Sequence, residues 1–123
     1  MYQSCDVPGD PHYSELNMMQ GELTRLRNRD GAAYTLSALP WAQPIHARDG
    51  RRLAASYANF LILDGAVLMP GYRDPADSIA ASVLRRVFPD REVLVVDCRA
   101  LIEQNGSLHC VTMQIPRGVL ADA

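Results

Sequence analysis

Two Asp-Pro pairs, Asp10-Pro11 and Asp74-Pro75, each stand at the head of a helical pattern, and each helical pattern runs on into a strand pattern. Aspartate caps a first turn well, and proline suits the first helical position, where its missing N–H is not needed. After the first pair, Tyr13, Leu16, Met19, Leu23 and Leu26 recur at spacings of three and four, which predicts a helix over residues 11–28 with one buried face. Asn28 to Gly31 closes it, and Ala33 to Leu39 reads as a strand ended by Pro40. After the second pair, Ile79, Ala80, Val83, Leu84, Val87 and Phe88 predict a helix over residues 76–88, stopped by Pro89. Glu92 to Asp97 then reads as a short buried strand. Two helix entries, each followed by a strand and 64 residues apart, hint at a repeat architecture entered in mid-unit.

The second unit also has a hairpin ahead of its helix. Tyr57 to Leu63 and Ala66 to Met69 flank Asp64-Gly65, a pair suited to a type I′ turn with positive φ at both residues. Both strands are nearly all apolar, so both faces are expected to be covered. In the first unit the hairpin is missing, because Met1 comes just before the helix. Between the units, residues 40–53 form a loop with a small hairpin at Asp49-Gly50. Residues 107–115 read as a last strand and Arg117 to Ala123 as a frayed tail.

Composition narrows the function classes. A chain of 123 residues supports one domain with one core. A net charge of −2 leaves no basic footprint for nucleic acid, and Arg25/Arg27/Arg29 and Arg85/Arg86 read as solvated faces. No apolar run approaches the roughly 20 residues of a membrane helix, and Met1 to Asp6 has neither a basic region nor an apolar signal core. Three cysteines, Cys5, Cys98 and Cys110, lack framework spacing, which predicts reduced thiols in a cytoplasmic protein. His109 and Cys110 are adjacent while His12 and His46 are isolated, so no metal site is expected.

Chemistry concentrates in Asn105-Gly106-Ser107-Leu108-His109-Cys110-Val111-Thr112-Met113-Gln114-Ile115-Pro116. A glycine-led turn lets a ligand approach the backbone, and a polar neighbour can tune a thiol. From these residues alone, Cys110 is either a nucleophile or an inert buried thiol, the usual state of free cysteine. On a strand, His109 would point away from Cys110, which favours packing for it. Asn59, polar within an apolar strand, either hydrogen-bonds near the site or satisfies a neighbouring loop. Cys5 and Cys98 read as structural thiols.

Five segments taken together resemble the C-terminal part of the agmatine deiminases, the bacterial-type peptidylarginine deiminase family. They are Ala55-Ser56-Tyr57-Ala58-Asn59-Phe60, the Asp64-Gly65 hairpin, Asp74-Pro75, Phe88-Pro89-Asp90-Arg91-Glu92-Val93, and Gly106 to Pro116. The likeness runs from about Asp6 to Pro116. It implies a pentein fold, an α/β propeller of five ββαβ modules around a central site, of which residues 1–123 would hold the last one to two. Cys110 matches the family nucleophile, with Gly106, His109 and Asn59 as supporting candidates. The implied reaction hydrolyses agmatine to N-carbamoylputrescine and ammonia, a step of putrescine and polyamine biosynthesis, through a covalent amidino-cysteine and with no cofactor or metal. Peptidylarginine is the alternative substrate. The family's His-x-Asp motif has no match here, since His12, His46 and His109 are followed by other residues. The resemblance therefore implies an isolated chain without activity. A non-catalytic truncated remnant, or a split-enzyme subunit that self-associates or pairs with an N-terminal portion, is the competing expectation.

Overall fold

In a computed structural model, which describes residues 1–116, 118 and 119, the chain builds the same β-α-β unit twice. Strand β1 (Tyr2–Gln3), helix α1 (Tyr13–Leu23) and strand β2 (Ala38–Leu39) form the first, with β1 and β2 parallel. Strands β3 (Leu61–Ile62) and β4 (Ala66–Gly71) form an antiparallel hairpin, and helix α2 (Ala76–Val87) leads to β5 (Glu92–Asp97), parallel to β4. The second sheet therefore runs β3-β4-β5, and the expected repeat is visible in its topology. The tail expected over residues 117–123 lies largely outside the described residues.

The two Asp-Pro pairs do equivalent work. Asp10 Oδ1 accepts the His12 N–H at 2.9 Å, and Asp74 Oδ1 accepts the Ala76 N–H at 2.8 Å. Asp74 also accepts the Gln43 N–H at 3.0 Å, tying the long loop to α2. Helix α2 matches its expected span. It buries Ala76, Ala80, Ala81, Val83 and Leu84 against a core that includes Leu39, Tyr57, Val67, Met69, Tyr72, Cys98 and Ile102.

Elsewhere the structure corrects the expectations. Helix α1 stops at Leu23, because Gly21 is a weak helix former and its carbonyl is taken by the Thr24 hydroxyl at 2.7 Å. No residue of α1 is buried. Of the strand expected over residues 33–39, Ala38–Leu39 pairs with β1, Ala33 makes an isolated antiparallel bridge with Arg27, and Tyr34 is exposed. Tyr57 and Ala58 form a turn instead of extending β3, since the Ser56 carbonyl captures the Asn59 N–H at 3.1 Å. The β3–β4 connection has the expected two residues, with Leu63 N–H to the Ala66 carbonyl at 2.8 Å. Neither Asp64 nor Gly65 has positive φ, so the turn is not type I′. A bond from the Glu92 N–H to the Gly65 carbonyl, 3.1 Å, ties this turn to β5 instead. Strand β5 buries only Val93, while Leu94 (41%) and Val95 (49%) are open to solvent. The hairpin at Asp49-Gly50 is present, with an isolated antiparallel bridge between His46 and Arg52 and Gly50 at φ 84°.

Candidate active site

Cys110 does not lie on a strand. The segment expected as a last strand instead turns through Asn105, at φ 68°, and passes into a short 3₁₀ turn over His109–Val111. The cause is Asn59, which takes the backbone donors that a strand would have offered to a ladder. Its Oδ1 accepts the His109 N–H at 2.7 Å and the Cys110 N–H at 3.3 Å. Its main-chain carbonyl lies 3.2 Å from the same His109 N–H. With Oδ1 committed to two N–H donors, the amide has one orientation, and Nδ2 donates to Cys110 Sγ at 3.1 Å. Thr112 closes the turn, its hydroxyl donating to the His109 carbonyl at 2.8 Å.

The thiol is exposed, whereas those of Cys5 and Cys98 are buried. Hydrogen bonds from the Ser107 N–H, the Asn59 amide and the Cys110 N–H hold the Cys110 thiol below its ordinary pKa, against a smaller opposing effect of burial. Charged neighbours are not needed for this, since each of these donors is neutral. Cys98 behaves oppositely, because burial pushes its thiol up. Gly106 lets the Cys110 side chain lie close against the backbone: a Cβ there would come within 3.3 Å of Cys110 Cβ.

The four residues singled out from the sequence, Cys110, His109, Gly106 and Asn59, thus meet in one turn. His109 contributes its backbone; its ring makes no hydrogen bond among the described residues. The ring does line, with Asn59, Ala58, Phe60, Ile62 and Gln114, an open recess of about 340 Å³. In this 3₁₀ turn His109 and Cys110 do not alternate across the two faces of a strand, the arrangement expected from the sequence.

Sequence reasoning missed the supports below the turn. Arg51 reaches from the Asp49-Gly50 hairpin to Asn105 Oδ1 and to the Glu103 carbonyl, the latter at 3.0 Å, bracing the residues ahead of Gly106. Ser107 Oγ meets Tyr72 Oη at 2.8 Å. Gln3 Oε1 accepts the Tyr57 N–H at 3.0 Å and the Ser56 hydroxyl at 3.2 Å, holding the segment that carries Asn59. None of these has a local sequence signal, because each acts on a partner far along the chain.

A separate polar centre lies at the start of α1. The Asp10 side chain is 3% exposed and is held by Arg52 through two bonds of 2.9 and 2.7 Å and by Trp41 Nε1 at 2.9 Å. The Arg52 guanidinium, partly opposed by burial, holds this carboxyl well below the usual carboxylate range. Its acceptors are already occupied, so it reads as a structural ion pair and not as a free acid. No group of histidine, cysteine and carboxylate side chains among the described residues is arranged to hold a metal. No helix among them is long and apolar enough to cross a membrane.

Comparisons with known proteins give the family and the fold. The model of the Porphyromonas-type peptidyl-arginine deiminases matches residues 1–116. Agmatine deiminase of Stutzerimonas stutzeri (strain A1501) is 34% identical over 128 residues, which are 90% of this chain and 35% of that protein. Among solved structures, that of a candidate arginine deiminase from Porphyromonas gingivalis has a TM-score of 0.92 at 51% identity, the match covering 95% of this chain and 34% of that one. C. jejuni agmatine deiminase with substrate bound has a TM-score of 0.77 at 36% identity, covering 87% of this chain and 30% of its own. The chain spans about a third of the length of the curated relatives that it matches. These neighbours are pentein-fold deiminases, and the two β-α-β units are a partial pentein fold. With matching that runs from Met1 through the Cys110 turn to Pro116, the chain belongs to the Porphyromonas-type peptidyl-arginine deiminase family.

Proposed function

We propose that residues 1–123 are the nucleophile-bearing, C-terminal part of a guanidine hydrolase, with Cys110 as the nucleophile and agmatine as the substrate. The observation that carries this is the exposed Cys110 thiol, lowered in pKa by neutral donors and clamped by Asn59. In this reading the Cys110 thiolate attacks the planar guanidinium carbon to give a tetrahedral adduct. A proton passes to one nitrogen, the C–N bond breaks, and ammonia leaves an amidino-cysteine. Water then adds to the same carbon, the C–S bond breaks, and the thiolate returns with a ureido product, N-carbamoylputrescine from agmatine. A guanidinium is a stable cation that needs carboxylates to hold it and a base to move protons. The chain offers no His-x-Asp motif for the purpose. Alone, it is expected to release no ammonia above background. Joined behind the preceding segment of the Stutzerimonas stutzeri enzyme, it is expected to turn over agmatine in preference to a peptidylarginine. Cys110→Ser should then lower the rate on the order of 10⁴-fold. A folded fusion whose turnover survives that substitution would refute the role of Cys110.

A second reading, association of this chain with itself or with an N-terminal portion, is favoured by the surface. Leu94 and Val95 on β5, the edge strand of its sheet, are open, and Met18 on α1 is 60% exposed. Sedimentation of the 123-residue chain is expected to show concentration-dependent association that Val95→Lys weakens. A monomer at all concentrations would argue against the self-association part of this reading.

A further inference from the structure

The turn that carries Cys110 has a second anchor beneath it. Ser107 and Tyr72 are both buried, at 2% and 1% exposure, and their hydroxyl oxygens lie 2.8 Å apart. Tyr72 Oη also accepts the Ser56 N–H at 3.1 Å and lies 2.9 Å from the Ser56 carbonyl. The Ser107 hydroxyl reaches the buried Cys98 sulfur as well. Each hydroxyl has one hydrogen, so two arrangements satisfy this cluster. In one, Tyr72 donates to the Ser56 carbonyl and Ser107 donates to Tyr72. In the other, Tyr72 donates to Ser107, whose own hydrogen goes to Cys98. Ser107 is bonded to Tyr72 in both, and its backbone cannot rotate without breaking a buried hydrogen bond. That backbone supplies an N–H to the Cys110 thiol, and at Gly106 beside it the Cys110 side chain packs so close that a Cβ would come within 3.3 Å of Cys110 Cβ.

We propose that Tyr72 is a positioning residue for Cys110, acting through Ser107: the buried hydroxyl contact fixes the main chain whose N–H meets the thiolate. The inference rests on Cys110 being the nucleophile. It extends that reading to a residue that touches no substrate and sits on the far side of the turn. The ionisable groups around the thiol and its support are His109 in the turn, Cys98 and Tyr72 beneath it, and Asp77 at the Tyr72 backbone. Burial pushes the Tyr72 phenol up to about 12, so it stays protonated through the range where a thiol titrates.

The test is the pH dependence of Cys110 alkylation by iodoacetamide in the 123-residue chain, read by peptide mass. Tyr72→Phe removes one oxygen and keeps the ring that packs at 5.4 Å on Tyr57. It is expected to raise the apparent thiol pKa by about 0.5–1 unit. Ser107→Ala should do the same, and the double variant should shift it no further than either single one. A purely structural Tyr72 would lower the unfolding midpoint and leave the thiol pKa where it was, which would overturn the proposal. Additive shifts in the double variant would also overturn it. Should Tyr72→Phe fail to fold by circular dichroism, an unchanged pKa in folded Ser107→Ala would decide against the proposal. A parent chain whose Cys110 titrates at or above an ordinary thiol would instead remove the nucleophile reading itself, before any variant is compared.

Discussion

Replacing Asp77 with alanine is expected to cost about 3–4 kcal/mol of unfolding free energy, a large share of the stability of a small domain. The carboxylate accepts the Tyr57 hydroxyl at 2.7 Å, the Tyr72 N–H at 3.1 Å and the Asp74 N–H at 3.3 Å, so it joins the start of α2 to the two largest buried aromatic side chains. Without it, a buried phenol and a buried N–H lose their partners, each at about 1–3 kcal/mol, and the favourable charge at the helix N-terminus goes too. The Tyr57 phenol cannot recover by ionising, because burial, the larger cause of its raised pKa in the parent, persists without Asp77. Urea unfolding followed by circular dichroism measures the loss. Ser78→Ala, on the exposed side of the same helix, should stay within about 0.5 kcal/mol. Equal losses in the two variants would mean that the Asp77 cluster is not the anchor described here.

Asn59 should have the largest effect on the thiol. Asn59→Ala removes both the clamp on the His109 and Cys110 N–H groups and the donor to sulfur. Any turnover by the completed enzyme is then expected to fall on the order of 10²-fold, since small misplacements of a reacting group are costly. Asn59→Asp separates the two functions. A carboxylate still accepts both N–H groups, so the turn is kept, but it offers no hydrogen to the sulfur and places a like charge beside the thiolate. In the parent, the lowered thiol pKa means that alkylation reaches its plateau at lower pH than for a free cysteine. In Asn59→Asp the thiol pKa is expected to rise, so the plateau moves to higher pH and the neutral-pH rate falls. A profile in Asn59→Asp that matches the parent would show that the Nδ2–sulfur contact does not tune the thiol.

What was legible in the sequence follows how far apart the partners lie. Helix α2, strands β4 and β5 and the two Asp caps were readable because their determinants are local: a 3.6-residue stripe, short apolar runs, and an aspartate two residues from the N–H that it accepts. The chemistry of Gly106, His109 and Cys110 was legible as a motif, and Asn59 as a polar residue out of place. The shape of the Cys110 turn was not, because Asn59 imposes it from 50 residues away, overriding a segment with ordinary strand composition. The same holds for Tyr72 under Ser107, 35 residues away, and Arg51 across from Asn105, 54 residues away. The length of α1 was overestimated for a smaller reason. Its apolar spacing continues to Leu26, but Thr24 bonds back to the Gly21 carbonyl and ends the helix. The exposure of β5 had no local signal at all, since Leu94 and Val95 read like buried residues and are not.

The covalent state of Cys110 during turnover tests the central claim most directly. The chain joined behind the preceding segment of the Stutzerimonas stutzeri enzyme would be mixed with agmatine, quenched in acid and digested, and the peptide containing Cys110 weighed. The account predicts that the peptide gains the mass of one agmatine less one ammonia, an amidino carbon on sulfur that still carries the aminobutyl chain. It should appear within the first turnover and decay as ammonia and N-carbamoylputrescine accumulate, and it should be absent in Cys110→Ser. Steady turnover with an unmodified Cys110 peptide at every quench time, persisting in Cys110→Ser, would contradict it.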